Sequence, residues 1–552
     1  MESTIINEID GKELEAMGFG SSPEDVRKLL ADAKEAYEED QRLTIREALH
    51  RFTPAVFWAM ILSVTLIMEG YDVVMIGSFY GQQQFIERFG TTEDGVKQIT
   101  AAWQSGLSNS SVIGQLAGLA VGGYCMDRFG RKQTLLVALV VMTCAIFIPF
   151  FAVNLPMLAV GEFLCGLPWG CFQTLSTTYA VEVVPTVLRP ILTSFVCQCW
   201  GWGIFISSGV ARGALELPGD LAWRLPFGLQ WIWPVPLFIC FLWVPESPWF
   251  LVRQGRIEQA RVSLRRLRRK GDEQETEHAI TRTLASLVHT IALENRETAG
   301  ASYVECFKGI NRRRTEINMV VWAAQILCGN AIIGFAVLFF QRAGLSETNS
   351  FNLNMVMNSM YIFGSIICWF LMTRFGRATL YMGGMAGMLV CLLVTGGLGF
   401  KDSVGTSWAI GSLLIVQTLI NMTTIGPVCY TIVAETCSSR LRAKTIVIGR
   451  IVYNLTGIFS NSVTPRMLST TQWNWGAKSA LFYAGTNILC LTWCWFRLPE
   501  TMDRSFADLE SLFQQGISAR KFKHTKVEQF HQVVDATAMD EKKLESDHVE
   551  YA

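Results

Sequence analysis

Two carboxylates stand inside an apolar stretch, Phe57 to Ser78 (FWAMILSVTLIMEGYDVVMIGS), that is long enough to cross a bilayer, since about 20 residues at 1.5 Å rise suffice. Glu69 and Asp72 are three apart, so on a helix they lie on one face, one turn above the other. A charge held in hydrocarbon costs about 2.5 kcal/mol or more, which turns such a face towards a protein interior or a wet cavity. An acid placed there can take up and release a proton. The plain alternative is a pair of acids at the membrane edge that ends a helix. Glu162 is a further carboxylate inside an apolar run, and Arg450 is the basic residue well inside a span that could balance these acids.

The elements that must position these groups follow from composition. With 552 residues, 50% hydrophobic and 17% charged, and a mean hydropathy of +0.30, the chain is too apolar for an average soluble protein and reads as polytopic. Apolar runs predict spans at 53–79, 103–126, 133–153, 157–180, 191–211 and 225–244, then at 317–341, 353–372, 379–399, 407–433, 445–465 and 478–497. This divides the chain into a tail (1–52), a six-helix bundle (53–244), a charged loop (245–316), a second bundle (317–497) and a tail (498–552). Ser22-Pro23-Glu24-Asp25 is a candidate cap for a helix in the first tail, and RIEQARVSLRRLRR in the loop has helical register. Arg128, Arg131, Lys132 and Arg189 lie in short loops on the same side as the basic central loop, so both termini and that loop should be cytoplasmic. Met1 to Asp10 lacks the basic and apolar regions of a cleaved signal, and the first span should itself direct insertion. The 15 cysteines fall mostly inside apolar runs, as at Cys144, Cys165, Cys328, Cys368 and Cys490, and read as small buried hydrophobes. Glycines 114, 118 and 122 form a stripe that lets the second span pack closely on a neighbour. The zero net charge excludes a bulk field for nucleic acid, no P-loop supports an ATP-driven pump, and no nucleophile–base set points to an enzyme or to a cofactor.

The halves repeat each other. Asp127-Arg128-Phe129-Gly130-Arg131 recurs as Thr373-Arg374-Phe375-Gly376-Arg377, Glu182 with Arg189 as Glu435 with Arg442, and Pro245-Glu246-Ser247 as Pro499-Glu500-Thr501, at nearly constant spacing. These charges suit a cytoplasmic gate that assembles when the inner helix ends close. Exposed pairs are worth about 0–1 kcal/mol each and so could break in both directions. Thr373 lacks the acid that Asp127 supplies, which makes the second half the weaker latch. Basic residues serving only as orientation signals would occupy the same loops.

With these motifs the chain resembles the sugar porters of the major facilitator superfamily over residues 50 to 510: DRFGRK (Asp127 to Lys132), PESPWFLVRQGR (Pro245 to Arg256), Gly426-Pro427 and PETMDRSFADL (Pro499 to Leu509) match the family signatures. Gly70 to Gly90, Leu164 to Leu175 and Thr471 to Gly485 are similar to fungal α-glucoside, or maltose-type, permeases. The resemblance implies an all-α membrane protein of twelve transmembrane helices in two pseudo-symmetric six-helix bundles, the major facilitator fold. It also implies proton-coupled uptake of α-glucosides such as maltose across the plasma membrane by alternating access, in a monomer whose partners are a sugar, protons and lipid. A carrier for another sugar, facilitative or symporting, and a non-transporting sugar sensor are the alternatives.

A sugar needs amides, hydroxyls and aromatic platforms. On the resemblance these are Gln325 and Asn330 in the seventh span, Asn421 and Tyr430 in the tenth, Asn454 one turn from Arg450 in the eleventh, and Gln198 in the fifth. Gln173 and Asn358 are further amides, of a kind that helix–helix hydrogen bonds also use. Asp72 matches the family's proton site, and Glu162 stands where many sugar porters carry Arg, so that two carboxyls would share a cavity and a proton. Ile326, Cys197 and Gln115 depart from the family's amides and, at Gln115, from an acid of the α-glucoside permeases; Gln115 cannot titrate.

Overall fold

The computed structural model describes residues 23–523 and 525, apart from 94, 270–272, 299–301, 402, 439–440, 503 and 505. Twelve helical rods follow one another among these residues. In the first half they are Thr53–Phe79, Ala101–Phe129, Arg131–Phe150, Leu155–Val183, Thr186–Ala214 and residues 221–241. In the second they are Gly309–Leu327 with Asn330–Arg342, then Glu347–Met372, Arg377–Leu398, Val404–Thr436, Arg442–Leu468 and Ser479–Arg497. Seven of them are long and apolar enough to cross a membrane by length and composition, and eight if the seventh rod, bent by 41°, counts as one span. The rods outrun the apolar runs because a helix continues past hydrocarbon depth until a cap accepts its free N–H groups. Thr100, Asn154, Ser346 and Ser403 do this at the second, fourth, eighth and tenth rods.

Two rods are interrupted where the sequence carries glycine or proline. The seventh breaks at Gly329, whose φ of +103° only glycine adopts without strain, and the tenth has a π-helical turn, Asn421–Ile425, just before Gly426-Pro427. A hairpin of Thr91–Glu93 with Val96–Gln98, between the first and second rods, is a strand pair that the all-α expectation lacked. Cys144 is exposed on the outer face of the third rod, unlike the other four cysteines named above, which are buried; all 15 are free thiols.

The glycine stripe finds its partner in the fourth rod. A Cβ on Gly114 would lie 2.2 Å from the Phe163 carbonyl oxygen and one on Gly118 2.1 Å from that of Leu167, while Gly166 and Gly170 approach the carbonyls of Ser111 and Gln115 in return. Glycine on both helices lets the two backbones touch. Gly70 and Gly203 do the same for the first and fifth rods, 2.2 Å from the carbonyls of Trp200 and Ile67. These seams fix the helices that carry Glu69, Asp72 and Glu162.

At the face where the repeated motifs lie, the repeat is a capping device. The Glu246 carboxylate accepts from the backbone N–H groups of Arg131 (2.9 Å) and Lys132 (3.1 Å), at the start of the third rod. Glu500 accepts from Ala378 (3.3 Å) and Thr379 (3.2 Å), at the start of the ninth. Burial pushes the Glu246 carboxyl above the ordinary carboxylate range, and the N–H groups of Ser247, Lys132 and Arg131 pull it back. The central loop is helical at Pro248–Arg253, Ile257–Leu267 and Glu273–Thr298, and the tail helix Pro23–Arg42 packs Leu29 and Ala33 against Ile280, Leu284 and Val288 of the last of these. The proposed cap Ser22 lies outside the described residues.

The halves meet at the opposite face. Gln341 donates to the Gly81 carbonyl (2.6 Å), Arg342 to Gln98 (2.9 Å), Gln98 to Thr471 (3.2 Å) and Asn109 to Ser462 (2.9 Å). Gly77 lies against the Gly334 carbonyl, 2.2 Å from where its Cβ would be.

The backbone contact of the second and fourth rods makes a sharp prediction. Gly118→Leu must push two main chains apart and should destabilise the protein by about 3 kcal/mol or more, whereas Gly123→Leu, with nothing within 4 Å of its Cβ, should be near neutral. Thermal unfolding in detergent separates them, and equal melting temperatures would disprove the seam.

Candidate functional site

Midway along the rods the two acids of the first helix part company. Glu69 is 4% exposed and Asp72 2%. The 60° turn between positions three apart sends one acid to the boundary between the halves and the other into the first half. The Glu69 carboxylate accepts from the Gln173 side-chain amide of the fourth rod, with the Trp200 ring beside it. The carbonyl end of the same amide accepts from Arg450 Nη2 across the boundary, at 3.1 Å. Arg450 is itself caged by aromatic rings: its guanidinium carbon lies 4.8 Å from the Trp322 centroid and 4.9 Å from that of Tyr453. Tyr430 packs edge-on against Trp322 at 4.9 Å and carries its hydroxyl to Arg450.

Tyr430 is nonetheless 44% exposed. Its neighbours include Cys197 of the other half as well as Arg450, so the open side of the ring faces the space between the halves. Cys197, where the family would place an amide, is exposed there too.

Asp72 and Glu162 meet inside the first half, each carboxyl within hydrogen-bond reach of the other. Gln230, from the middle of the sixth rod, donates its amide to Asp72. Asp72 Oδ2 and Glu162 Oε1 have no donor among the described residues. Two buried carboxyls in contact with no cation between them cannot both be ionised, and one proton turns the contact into a hydrogen bond. Arg450 attends Glu69 and leaves this pair alone, which corrects the expectation of a single cation balancing all three acids; the boundary between the halves, where Arg450 lies, is reached by Glu69 and not by the other two.

The amides form a second set, in the other half. Gln325 donates to the Gly426 carbonyl (3.4 Å) and Gln417 to that of Gly329 (3.2 Å), tying the broken seventh rod to the broken tenth. Gln325 Oε1, Asn330 Oδ1, Gln417 Oε1 and both amide atoms of Asn421 are buried without a partner among the described residues. Such atoms are costly unless something that donates and accepts, as a hydroxyl does, comes to meet them. Asn454 is 5% exposed, one turn along from Arg450. Gln198 accepts from Ser365 (2.5 Å) and Asn358 donates to Ser208 (2.6 Å), both between the fifth and eighth rods, so these two amides join helices. Gln230, Gln417, Trp200, Trp322 and Tyr453 escaped the sequence reading. Lone amides and aromatics in apolar helices carry no spacing signal; the signal available for Trp322 and Tyr453 was their position one turn from Gln325 and Arg450.

The gate charges sit at the motif face. Arg131 pairs with Glu182 at 2.7 Å and with Asp127 at 3.7 Å, and Glu182 also accepts the Ser247 hydroxyl. Arg377 pairs with Glu435 at 3.4 Å. Each of these pairs joins elements of one half. The Arg131 and Glu182 side chains are only 5% and 11% exposed, against 22% for both Arg377 and Glu435. The first pair is therefore no cheap surface contact, because its carboxylate is also held by Ser247 and its guanidinium lies over the Phe250 ring. Arg128 and Arg374 are exposed, Arg189 lies beside Asp40 of the tail helix, and Arg442 begins the eleventh rod.

Comparison with known proteins gives this geometry a setting. The chain is 39% identical over 523 residues to the general alpha-glucoside permease of Saccharomyces cerevisiae, covering 93% of this chain and 85% of that one. It is 38% identical over 514 residues to the maltose permease MAL31 of the same yeast, covering 92% and 83%. Its fold is that of the E. coli xylose transporter XylE in a partially occluded inward open conformation (TM-score 0.65, 19% identity, 82% of this chain and 99% of that one). The proton:xylose symporter XylE bound to 6-bromo-6-deoxy-D-glucose is equally similar (TM-score 0.64, 20% identity, 84% and 100%). The fold is all-α and that of the major facilitator superfamily. Residues 58–513 match the sugar (and other) transporter family, and the chain belongs to that family, as a membrane transporter and not an enzyme.

Proposed function

We propose that the protein carries α-glucosides such as maltose together with protons into the cell across the plasma membrane, working by alternating access. The observation that carries the coupling is the contact of Asp72 with Glu162 in a buried site whose one amide donor is Gln230. A pair of this kind binds one proton and gives it up when water reaches it. The sugar is met by the other half, with Tyr430, backed by the buried Trp322, as apolar platform, Gln325, Asn330, Asn421 and Asn454 for its hydroxyls, and Arg450 between them. The yeast relatives' names, for α-glucosides and maltose, support this substrate class.

The motif face, with both tails and the central loop, is the cytoplasmic one, and the contacts at the opposite face correspond to a state open to the cell interior. Asp127, Arg128, Arg131, Glu182 and Arg189 in one half and Arg374, Arg377, Glu435 and Arg442 in the other rim the gate that closes on that side. The transporter works as a monomer. Passive carriage, or a different sugar, is the second reading, favoured by Gln115 and by Cys197, where an acid and an amide would be expected of an α-glucoside symporter.

Maltose uptake recorded together with external pH decides between these. The wild type should alkalinise the medium as sugar enters, and Asp72→Asn should lose concentrative uptake at least tenfold; accumulation of maltose with no proton movement would refute coupling. Competition by mono-, di- and trisaccharides decides the substrate class. Tyr430→Ala should raise the half-saturating maltose concentration about five- to tenfold, the equivalent of roughly 1–1.4 kcal/mol for a lost ring face, and an unchanged value would remove the ring from the site.

A further inference from the structure

We propose that Gln173 is the residue through which sugar occupancy sets the protonation of Glu69, acting as a positioning residue between the two halves. This rests on the symport reading above and adds a second proton circuit to it, separate from the Asp72–Glu162 pair.

The geometry is that of a two-ended relay. An amide has one donor end and one acceptor end, and in Gln173 both are in use: the NH2 donates to Glu69, and the carbonyl accepts from Arg450 of the other half at 3.1 Å. That orientation is the only one that suits both neighbours, since Arg450 can only donate and an ionised Glu69 can only accept. Glu69 Oε2 has no hydrogen-bond partner among the described residues, so the carboxylate relies on this amide, on the Trp200 side chain and on the nearby guanidinium for its charge to be tolerated.

A sugar against the exposed Tyr430 ring lies beside Arg450, which the Tyr430 hydroxyl already reaches. Its hydroxyls both donate and accept, so they compete with the Gln173 carbonyl for the guanidinium. Once Arg450 turns to the sugar, the amide loses its acceptor role and is free to swing, and Glu69 is left buried without a cation. A proton from the water in the cleft then adds to Oε2, forming one O–H bond and breaking none in the protein. When the sugar leaves and Arg450 returns, that proton leaves into the cleft, which by then opens on the other side. The other titratable groups about this relay are Tyr453 on the helix of Arg450, Tyr430 on the tenth rod and Cys197 on the fifth; Asp72, one turn along, is turned towards Glu162.

The test uses the purified full-length protein in liposomes, with maltose as the sugar and a trapped pH dye, and reads protons moved per maltose, a ratio that a merely weakened protein does not change. Gln173→Leu should still exchange labelled for unlabelled maltose, at a reduced rate, while the ratio falls about twofold, because the Asp72–Glu162 circuit remains, and Glu69→Gln should give the same fall. A Gln173→Leu protein that keeps the wild-type ratio would overturn the proposal and make Gln173 a helix–helix tie. If that variant does not assemble, Gln173→Asn, one methylene too short to span both neighbours, replaces it: the same twofold fall is expected, and an unchanged ratio overturns the proposal. A wild type that moves maltose without protons would instead sink the symport reading itself.

Discussion

A carboxylate in the middle of a membrane domain must be given a cation, a donor or a proton, because the low-dielectric interior penalises a bare charge by several kcal/mol. The first helix carries two such acids, and the structure answers the demand differently for each. Glu69 gets a donor and, through it, a cation from the opposite half. Asp72 gets a donor and a second acid, an arrangement complete only with a proton. The glycine seams are what make these answers available, since Gly70 and Gly203 bring the fifth rod with Trp200 against the first.

The strength of the contacts divides the molecule into parts that stay together and a boundary that can open. Within the first half the helices are joined by backbone touching backbone at glycine, and in both halves by carboxylates capping helix starts and by ion pairs; removing one partner of a buried pair such as Arg131–Glu182 costs about 3–5 kcal/mol. Between the halves, apart from the close approach of Gly77 to the Gly334 carbonyl, the bonds described are mostly single ones from amides and hydroxyls, such as Asn109 to Ser462 and Asn358 to Ser208, worth about 0.5–1.5 kcal/mol net. Water replaces bonds of this kind readily. Two rigid bundles rocking about a soft boundary is the motion that this distribution permits at least cost.

Much of this was legible in the chain. The twelve apolar runs fall on the twelve rods, of which seven, or eight with the bent pair, are long and apolar enough to cross a membrane, and the internal repeat of RFGR, Glu-x6-Arg and Pro-Glu suggested the two halves. The meaning of the third motif was not legible. Glu246 and Glu500 cap the third and ninth rods across long stretches of chain, and only a fold brings them there. Glu69 and Asp72 were readable as buried acids, but their one-turn spacing suggested a shared partner. A 60° offset on a helix at the edge of two bundles is enough to separate them, and which side each takes depends on neighbours such as Gln230 and Gln173 that have no motif of their own.

The two halves share a plan but have divided the chemistry. The acids Glu69, Asp72 and Glu162 all belong to the first half, whereas the caged Arg450 and the unpartnered amides of the seventh and tenth rods belong to the second. Beside the breaks in those two rods, at Gly329 and at Asn421–Ile425, stand the buried amides Gln325, Asn330, Gln417 and Asn421 with atoms that have no partner among the described residues. Among the described residues, the corresponding first and fourth rods of the other half have neither a left-handed glycine nor a π-helical turn. On the proposed function, in which one bundle recognises the sugar and the other holds the protons, the two must be linked across a boundary that also moves. Any such link must be polar, to sense charge, and must be made of bonds weak enough to exchange in each cycle. An amide between an acid and a guanidinium meets both conditions, whereas a direct Glu69–Arg450 ion pair would meet only the first.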